Sequence, residues 1–271
     1  MLRLLTLLGV AIVVAFAAGP GCGGGESELI LGATTSVQDS GLLDVLVEEF
    51  ESRYDYNVKP VVGGSGQILE QARRGEFDVL LTHSPVDEEA LIAQGYGMDR
   101  TPVMQNFFLL AGPDDDPAGV GAAATVEGAL RLIATSGEAF VSRGDGSGTH
   151  RREMQYWASA GIDPVARDWY TQSATGQGQN LLVASDGGAY TLTDSATFVA
   201  LMERVQMAEL FRDTDNPNVY SLVRLDSDRL DGVNAGVADA WLEFMTGTAQ
   251  EIIAEFGRDE YGEALFEPIA R

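Results

Sequence analysis

The chain has 271 residues, 45% of them hydrophobic, and carries 17 basic against 41 acidic residues, for a formal net charge of −24. This length can bury a sizeable core, either as one two-lobed unit or as two small domains. So acidic a chain excludes nucleic acid and anionic membrane surfaces as expected partners, because both would be repelled. The single cysteine excludes a disulfide framework within the chain.

The first 22 residues have the layout of a secretory signal, with one basic residue, Arg3, then an apolar run and small residues. The apolar run is too short and too poorly flanked for a membrane span. Cys22 follows in GPGCGGGES, a stretch that resembles a bacterial lipoprotein signal. We therefore predict an exported protein, periplasmic or at the cell surface, with Cys22 as a lipid anchor and residues 23–27 as a flexible tether. Cleavage without lipid attachment is the alternative, because Gly19 stands where such signals usually have leucine.

From residue 28 onward, short apolar strands alternate with helical patterns, which is typical of an α/β fold with mainly parallel sheets. A first set predicts strands at 28–33, 58–63, 77–81 and 103–113, and helices at 40–54, 66–76 and 86–97. After an acidic loop, a second set predicts helices at 125–136, 149–160, 177–185 and 195–206, and strands at 139–142, 189–193 and 218–225. Two helices close the chain, at 233–247 and 248–257.

Two α/β sets, with a late strand and closing helices left over, predict two lobes between which the chain crosses twice. We place the crossings near 107–113 and 219–225. Lobe 1 then comprises residues 28–108 and 226–271, and lobe 2 comprises residues 109–225. In such folds ligands bind at the carboxyl ends of strands, in the cleft between the lobes.

Three loops share one character, since each follows a predicted strand, precedes a helix and is rich in glycine and hydroxyl side chains. They are GATTSVQDSG (32–41), VGGSGQ (62–67) and SRGDGSGTH (142–150). A helix N-terminus offers unpaired N–H groups and the positive end of the helix dipole, and glycines let the backbone approach a ligand closely. One such loop is also an ordinary helix cap, but three together predict an anion site.

The third loop contains a cation, Arg143, directly after a strand. Its guanidinium can fork onto two oxygens of a tetrahedral oxyanion. Asp145 either holds that guanidinium in place or is simply a turn residue. The net charge of the chain does not forbid such a site, because exposed charges more than about 10 Å away are screened at ordinary ionic strength.

The segments ATTSVQDSGLLD, DVLLTHSP, GYG, SRGDGSGTH and AYTLTDSATF, in this order and spacing, resemble the tungstate-binding proteins of ABC importers. The resemblance runs from about residue 28 to the end of the chain. It implies a type II periplasmic-binding-protein fold, in which two α/β lobes with two chain crossings enclose a ligand cleft. It also implies capture of tungstate and its delivery to an ABC permease and its ATPase, with no cofactor, and we expect a monomer.

The resemblance also implies which residues contact the oxyanion. Carried over onto this sequence, they are Thr34, Thr35, Ser36, Arg143, Ser147, Gly148 and Thr149. Ser65 joins them because its loop is of the same type. Many relatives have a third threonine in the first loop, where Ala33 stands here, so which hydroxyl of that loop binds stays open.

The pattern Arg-x-Asp-x-Ser-Gly-Thr also occurs in phosphate-binding relatives, so it specifies the shape of the ligand and not its identity. A receptor for partly protonated phosphate needs a carboxylate acceptor, and His83 stands where the resemblance places that aspartate. The loss of the acceptor favours a fully deprotonated oxyanion: tungstate first, with molybdate or sulfate, and then phosphate, as alternatives. His83 is either a ligand contact or a cleft-wall residue. Asp194 is typical of a helix N-cap, with a reach into the cleft as the alternative.

No catalytic motif competes with this prediction. The serine-containing loop matches neither a G-x-S-x-G element nor a P-loop, and no HExxH is present. We therefore predict a binding protein and not an enzyme, with no protein-ligated metal. A surface domain that senses an anion without a transporter keeps the same fold and stays an alternative function.

Overall fold

The structure, a computed structural model, describes residues 28–270. The predicted signal segment with Cys22, and the predicted tether at 23–27, lie outside the described residues. Within residues 28–270, no helix has both the length and the apolar character needed to cross a membrane.

The described residues form strands and helices in alternation for most of their length. The strands are β1 Glu28–Thr34, β2 Asn57–Gly63, β3 Val79–Thr82, β4 Gly97–Gly112, β5 Phe140–Ser142, β6 Tyr170–Gln172, β7 Thr191–Asp194, β8 Ala208–Leu225 and β9 Glu267–Pro268. The helices are α1 Thr35–Asp39, α2 Leu42–Arg53, α3 Ser65–Ala72, α4 Pro85–Ala93, α5 Val126–Ser136, α6 Gly148–Ser159, α7 Gln177–Asp186, α8 Ser195–Leu201, α9 Ala235–Thr246, α10 Ala249–Glu255 and α11 Arg258–Tyr261.

The main sheet has the strand order β2-β1-β3-β8-β4-β7, with β9 added beside β4. Strand β1 runs parallel to β2 and β3, as the sequence predicts. The prediction of mainly parallel sheets is nevertheless wrong for the other strand pairs of this sheet, since β8 is antiparallel to β3 and β4, and β4 is antiparallel to β7. The reason is the crossing itself, because the chain leaves the first lobe on β4 and returns to it on β8. The separate two-stranded sheet of β5 and β6 is parallel.

Strands β4 and β8 are long, at 16 and 18 residues, and their ladder extends through both lobes. Asn106 pairs with Asn218, but the next pair toward the second lobe is Phe108 with Asp213, so four residues of β8, 214–217, lie opposite the single residue Phe107 of β4. The sequence prediction found only the apolar end of β8, at 218–225. The first half was missed because it is polar and contains Pro217, which is unusual inside a strand.

Buried apolar side chains form separate cores on either side of this crossing. In the first lobe, Leu31, Leu46 and Phe50 from β1 and α2 pack with Trp241 and Phe244 of α9. Helix α2 carries its buried residues at helical spacing, which is why this segment folds against the sheet.

The second lobe has its own aromatic core. Its members include Phe140, Trp157, Tyr170 and Tyr190. Residues 220–225 of β8 pack in the cores of the first lobe, although the sequence analysis placed them in lobe 2. The residue boundaries of the two lobes therefore stay a proposal, with the second crossing best placed near residue 218.

Candidate functional site

The three glycine- and hydroxyl-rich loops each connect a strand to a helix, as the sequence predicts. The first leads from β1 into α1, the second from β2 into α3, and the third from β5 into α6. Because β1 and β2 are neighbouring parallel strands, their carboxyl ends bring the first two loops to one edge of the first lobe. The third loop belongs to the second lobe.

The three loops converge across the space between the lobes. A Cβ built on Gly64 would lie 3.3 Å from Asp145 Oδ2 and 3.6 Å from Ser147 Cβ. The hydroxyl of Thr35, on the first loop, lies 3.4 Å from Nη2 of Arg143 on the third. The structure thus brings the predicted residues of both lobes together around one guanidinium.

Arg143 is 2% exposed and is held by three side chains. Its Nη1 donates to Gln177 Oε1 at 2.8 Å, and its Nη2 donates to Asp145 Oδ2 at 2.6 Å and to Thr35 Oγ1. Burial raises the pKa of Asp145, but the charge of Arg143 and hydrogen bonds from Ser147 more than offset it, so that the pKa is lowered overall. Asp145 is therefore an ionised anchor for the guanidinium.

The decisive feature of the site is a set of buried polar atoms with no protein partner. Within residues 28–270, six buried side-chain nitrogen or oxygen atoms lack a hydrogen bond, and three of them belong to this site. The three are Ser65 Oγ, Arg143 Nε and Thr149 Oγ1. Leaving a buried donor unpaired costs about 1–3 kcal/mol, so such groups call for a bound partner. All three can donate, and the partner they fit is therefore a group of acceptors.

The start of α6 shapes the third loop. Ser147 Oγ accepts from the backbone N–H of His150 at 3.3 Å, so this hydroxyl serves as the helix cap. The backbone N–H of Ser147 donates to Asp145 Oδ1 at 3.0 Å. Gly144 and Gly146 have φ angles of 62° and 71°, a conformation that residues with a Cβ rarely adopt. These turns bend the loop back over the helix start.

The first loop presents its hydroxyls as a linked pair. Thr34 Oγ1 and Ser36 Oγ lie 3.2 Å apart, and both residues are buried. Ser36 Oγ also accepts a hydrogen bond from the Tyr220 hydroxyl at 3.0 Å. Thr35 points instead toward the second lobe, where its Oγ1 accepts from the backbone N–H of Gln177 at 3.3 Å.

His83 forms a wall beside the start of α6. Its Nδ1 lies 2.8 Å from Asn218 Oδ1, and its ring packs at a tilt against Tyr220 with the ring centroids 4.8 Å apart. Burial lowers the pKa of His83 to about 4, although the Asn218 contact opposes that shift. A Cβ built on Gly148 would lie only 2.9 Å from the His83 ring, so the two residues touch. His83 is thus a neutral, hydrogen-bonded residue at pH 7.

Asp194 is fully buried and already has several partners. Its Oδ1 accepts from the Thr197 backbone N–H at 3.0 Å and from Asn106 Nδ2 at 2.8 Å, and its Oδ2 accepts from Thr197 Oγ1 at 2.7 Å. Burial raises its pKa against these hydrogen bonds. The residue caps α8, as the sequence predicts, and its bonds show no reach toward the Arg143 loop.

Sequence reasoning missed two residues that complete the arrangement. Gln177 begins α7, and its side chain accepts from Arg143 and donates to Thr193 Oγ1 at 2.8 Å. Asp39 of α1 accepts from the Gly178 backbone N–H at 2.7 Å, which ties the first lobe to α7. A signal for this helix was present, because SATG (173–176), directly before α7, has the same Ser/Thr/Gly character as the other three loops.

A cavity lies beside this site and not at it. It measures about 1100 Å³ and is lined by His83, Gly148, Arg152 and Phe108, among others. None of Arg143, Ser65, Thr149 or the hydroxyls of the first loop lines it. An ion pair of 2.9 Å between Arg151 and Asp87 bridges the lobes nearby. Together with the Thr35–Arg143 and Asp39–Gly178 contacts, this ion pair shows that the two lobes contact each other in this structure.

Two lobes joined by a pair of crossing strands, with helix N-termini meeting in the cleft, define a binding protein of the periplasmic type. The PBP superfamily domain matches residues 19–247. The chain is 36% identical to the tungstate-binding protein TupA of Peptoclostridium acidaminophilum, and the match covers 100% of this chain and 99% of the relative.

Solved structures give the same result. The tungstate ABC transporter structure from Geobacter sulfurreducens is 37% identical, with a TM-score of 0.78 over 85% of this chain and 99% of that chain. The tungstate-binding protein TupA from Desulfovibrio alaskensis G20 is 33% identical, with a TM-score of 0.75 over 90% of this chain and 100% of that chain. The chain belongs to the PBP superfamily and, within it, to the TupA homologues. The predicted family, the α/β periplasmic-binding-protein fold and the assignment as a binding protein of an ABC transporter, not an enzyme, are confirmed.

Proposed function

We propose that this protein is an extracytoplasmic receptor that encloses one tetrahedral oxyanion, tungstate, and delivers it to an ABC permease. The proposal is carried by the three unpaired buried donors, Ser65 Oγ, Arg143 Nε and Thr149 Oγ1, which come from both lobes. The proposed contacts are Thr34, Thr35, Ser36, Ser65, Arg143, Ser147, Gly148 and Thr149, with His83, Asp145 and Asp194 as supporting residues.

The chemistry of the donors supports a fully deprotonated ligand. The site offers hydroxyls, backbone N–H groups and a guanidinium, and its nearest carboxylate, Asp145, is already occupied by Arg143 and Ser147. His83 is neutral and its Nδ1 is engaged with Asn218. A protonated oxyanion such as hydrogen phosphate would find no free carboxylate to accept its proton. The names of the relatives favour tungstate over molybdate and sulfate, which share its shape and charge.

Closure of the two lobes distinguishes the ligand-loaded receptor from the empty one. Contacts such as Thr35 with Gln177 and Asp39 with Gly178 exist only when the lobes meet, so a ligand that bridges them stabilises the closed form. The closed form is then the one that the permease recognises. Export, a lipid anchor at Cys22 and a monomeric receptor complete the proposal.

Parallel titration calorimetry with tungstate, molybdate, sulfate and phosphate tests it. We expect one oxyanion per chain, with tungstate bound more tightly than sulfate and phosphate. Binding of none of the four would overturn the receptor function, and a preference for phosphate would overturn the argument from the missing acceptor. For delivery, the ligand-loaded protein should stimulate the ATPase activity of the cognate permease complex in proteoliposomes, and equal stimulation by the ligand-free protein would contradict it. Mass spectrometry of the membrane-extracted protein and its Cys22→Ser variant tests the anchor.

A further inference from the structure

A chain of hydrogen-bonded side chains runs from α8, through the crossing strands, to the first loop of the site. Asn106 and Asn218 are cross-strand partners on β4 and β8, where the ladder changes register, and Asn218 Nδ2 lies 2.8 Å from Asn106 Oδ1. Tyr220 follows on β8 and is fully buried. Its hydroxyl lies between Asn218 Nδ2, at 3.1 Å, and Ser36 Oγ, at 3.0 Å.

Asp194, at the end of this chain farthest from the site, determines which atom donates in each of its hydrogen bonds. Asp194 Oδ1 accepts from the Thr197 backbone N–H, and it therefore also accepts from the amide nitrogen of Asn106. Asn106 must then turn its oxygen toward Asn218. Asn218 in turn donates from Nδ2 to Asn106 and presents its Oδ1 to His83 Nδ1, which carries the proton.

This order determines what the Tyr220 hydroxyl can do. The second N–H of Asn218 Nδ2 points at Tyr220 Oη, so that oxygen accepts and the phenolic proton is left to be donated to Ser36 Oγ. Ser36 accepts at this position, and its own proton stays available for Thr34 or for a ligand. If the hydrogen bonds of this chain ran in the opposite direction, Ser36 would donate its proton to Tyr220. It would then have only lone pairs to offer a ligand.

We propose that Tyr220 is a positioning residue of the oxyanion site, which holds the Ser36 hydroxyl as a donor on the ligand side. The inference rests on the proposed function and deepens it, because a fixed donor suits a fully deprotonated oxyanion. Asn218, Asn106 and Asp194 act through Tyr220 by fixing its direction. The buried polar side chains at the crossing of β4 and β8 thus contribute to the selection of the ligand.

A double-mutant cycle on tungstate affinity, measured by titration calorimetry, tests this inference. Tyr220→Phe removes only the hydroxyl and keeps the ring that packs against His83 and meets Phe266 edge-on at 5.6 Å. We expect Tyr220→Phe to raise the Kd roughly 3- to 10-fold, the range for one hydrogen bond, and Ser36→Ala to raise it at least as much. In the Ser36→Ala background, Tyr220→Phe should change the Kd less than about 2-fold, because its target is gone.

The matched control is Tyr190→Phe, which removes another buried hydroxyl, one that donates to Asp116 in the second lobe at 2.9 Å. It should bind tungstate as the wild type does. An unchanged Kd in Tyr220→Phe, or an equal loss in the wild-type and Ser36→Ala backgrounds, would overturn the positioning role, since a loosened core would weaken binding in both. Wild-type protein that bound no oxyanion would instead overturn the proposed function and this inference with it.

Discussion

The first lobe brings to the site the hydroxyls of the Thr34–Ser36 turn and of Ser65, whereas the second lobe brings the guanidinium of Arg143. The difference follows from closure, because a cation on each side would repel its counterpart whenever the lobes met without a ligand. Neutral hydroxyls can approach Arg143 freely, as Thr35 does at 3.4 Å. The second lobe thus supplies most of the attraction, and the first supplies shape and direction.

Removal of the guanidinium should break this division most severely. Arg143→Ala is expected to weaken tungstate binding roughly 1,000-fold, about 4 kcal/mol, because a dianion would then be buried among neutral donors and beside the unpaired Asp145 carboxylate. Arg143→Lys should fall between this variant and the wild type, since a point charge cannot fork. Titration calorimetry measures both.

Arg212→Ala is the control for Arg143, because Arg212 forms a surface ion pair with Glu209 and should not affect the Kd. An affinity within 3-fold of the wild type in Arg143→Ala would show that the second lobe does not supply the attraction.

The first lobe presents only neutral groups to the site as long as the His83 ring is uncharged. The dependence of protein stability on pH tests whether it is. The folded protein holds the pKa of His83 at about 4, so below pH 6.5 the unfolded chain takes up a proton that the folded chain refuses. The free energy of unfolding should therefore fall by about 3 kcal/mol between pH 7 and about pH 4 because of His83. Denaturant unfolding of the wild type and His83→Gln at both pH values measures it. A variant that loses as much stability over this range as the wild type would indicate that His83 is not held neutral.

Gly148 allows the second lobe to approach the first. A methyl group there would meet the His83 ring at 2.9 Å and the His83 backbone oxygen at 3.0 Å, and the backbone cannot yield as a side chain can. Gly148→Ala should therefore resist closure and weaken tungstate binding roughly 30-fold, about 2 kcal/mol. Gly236→Ala, where the nearest atom lies at 3.6 Å, should bind normally. Equal Kd values for tungstate in the two variants would show that Gly148 is not required for the lobes to close.

The smallest expected effects come from the unpaired hydroxyls. Ser65→Ala and Thr149→Val should each weaken tungstate binding roughly 3- to 10-fold. Without ligand, both variants should be as stable as the wild type or more so, because a buried unpaired hydroxyl is removed. Thermal unfolding measures the ligand-free stability, and titration calorimetry measures the loss of affinity.

Ser40→Ala should behave in the opposite way, since the Ser40 hydroxyl is buried and bonded to Val37 and Leu42. We expect this control to lose stability and keep its affinity. A loss of ligand-free stability in Ser65→Ala or Thr149→Val would mean that their hydroxyls have partners in the protein.

The sequence was informative wherever a local pattern decides the structure. The spacing of apolar residues predicts α2, and glycine and hydroxyl residues between a strand and a helix predict all three loops. It was uninformative where the partner lies far along the chain. The pairing of Asn106 with Asn218 and the bond from Tyr220 to Ser36 join residues 112 and 184 positions apart, and no local pattern encodes them. Gln177 was missed for the same reason, because its role arises only when Arg143 lies beside it.

The shared ladder of β4 and β8 also makes the molecule one cooperative unit. Each lobe completes its sheet with half of both strands, so a fragment of either lobe would expose unpaired edges and half of a core. Heat should therefore melt the chain in a single transition instead of lobe by lobe. An anion that touches only a few loop residues would then protect every residue of the ladder, and its affinity could be read from the shift of that one melting point.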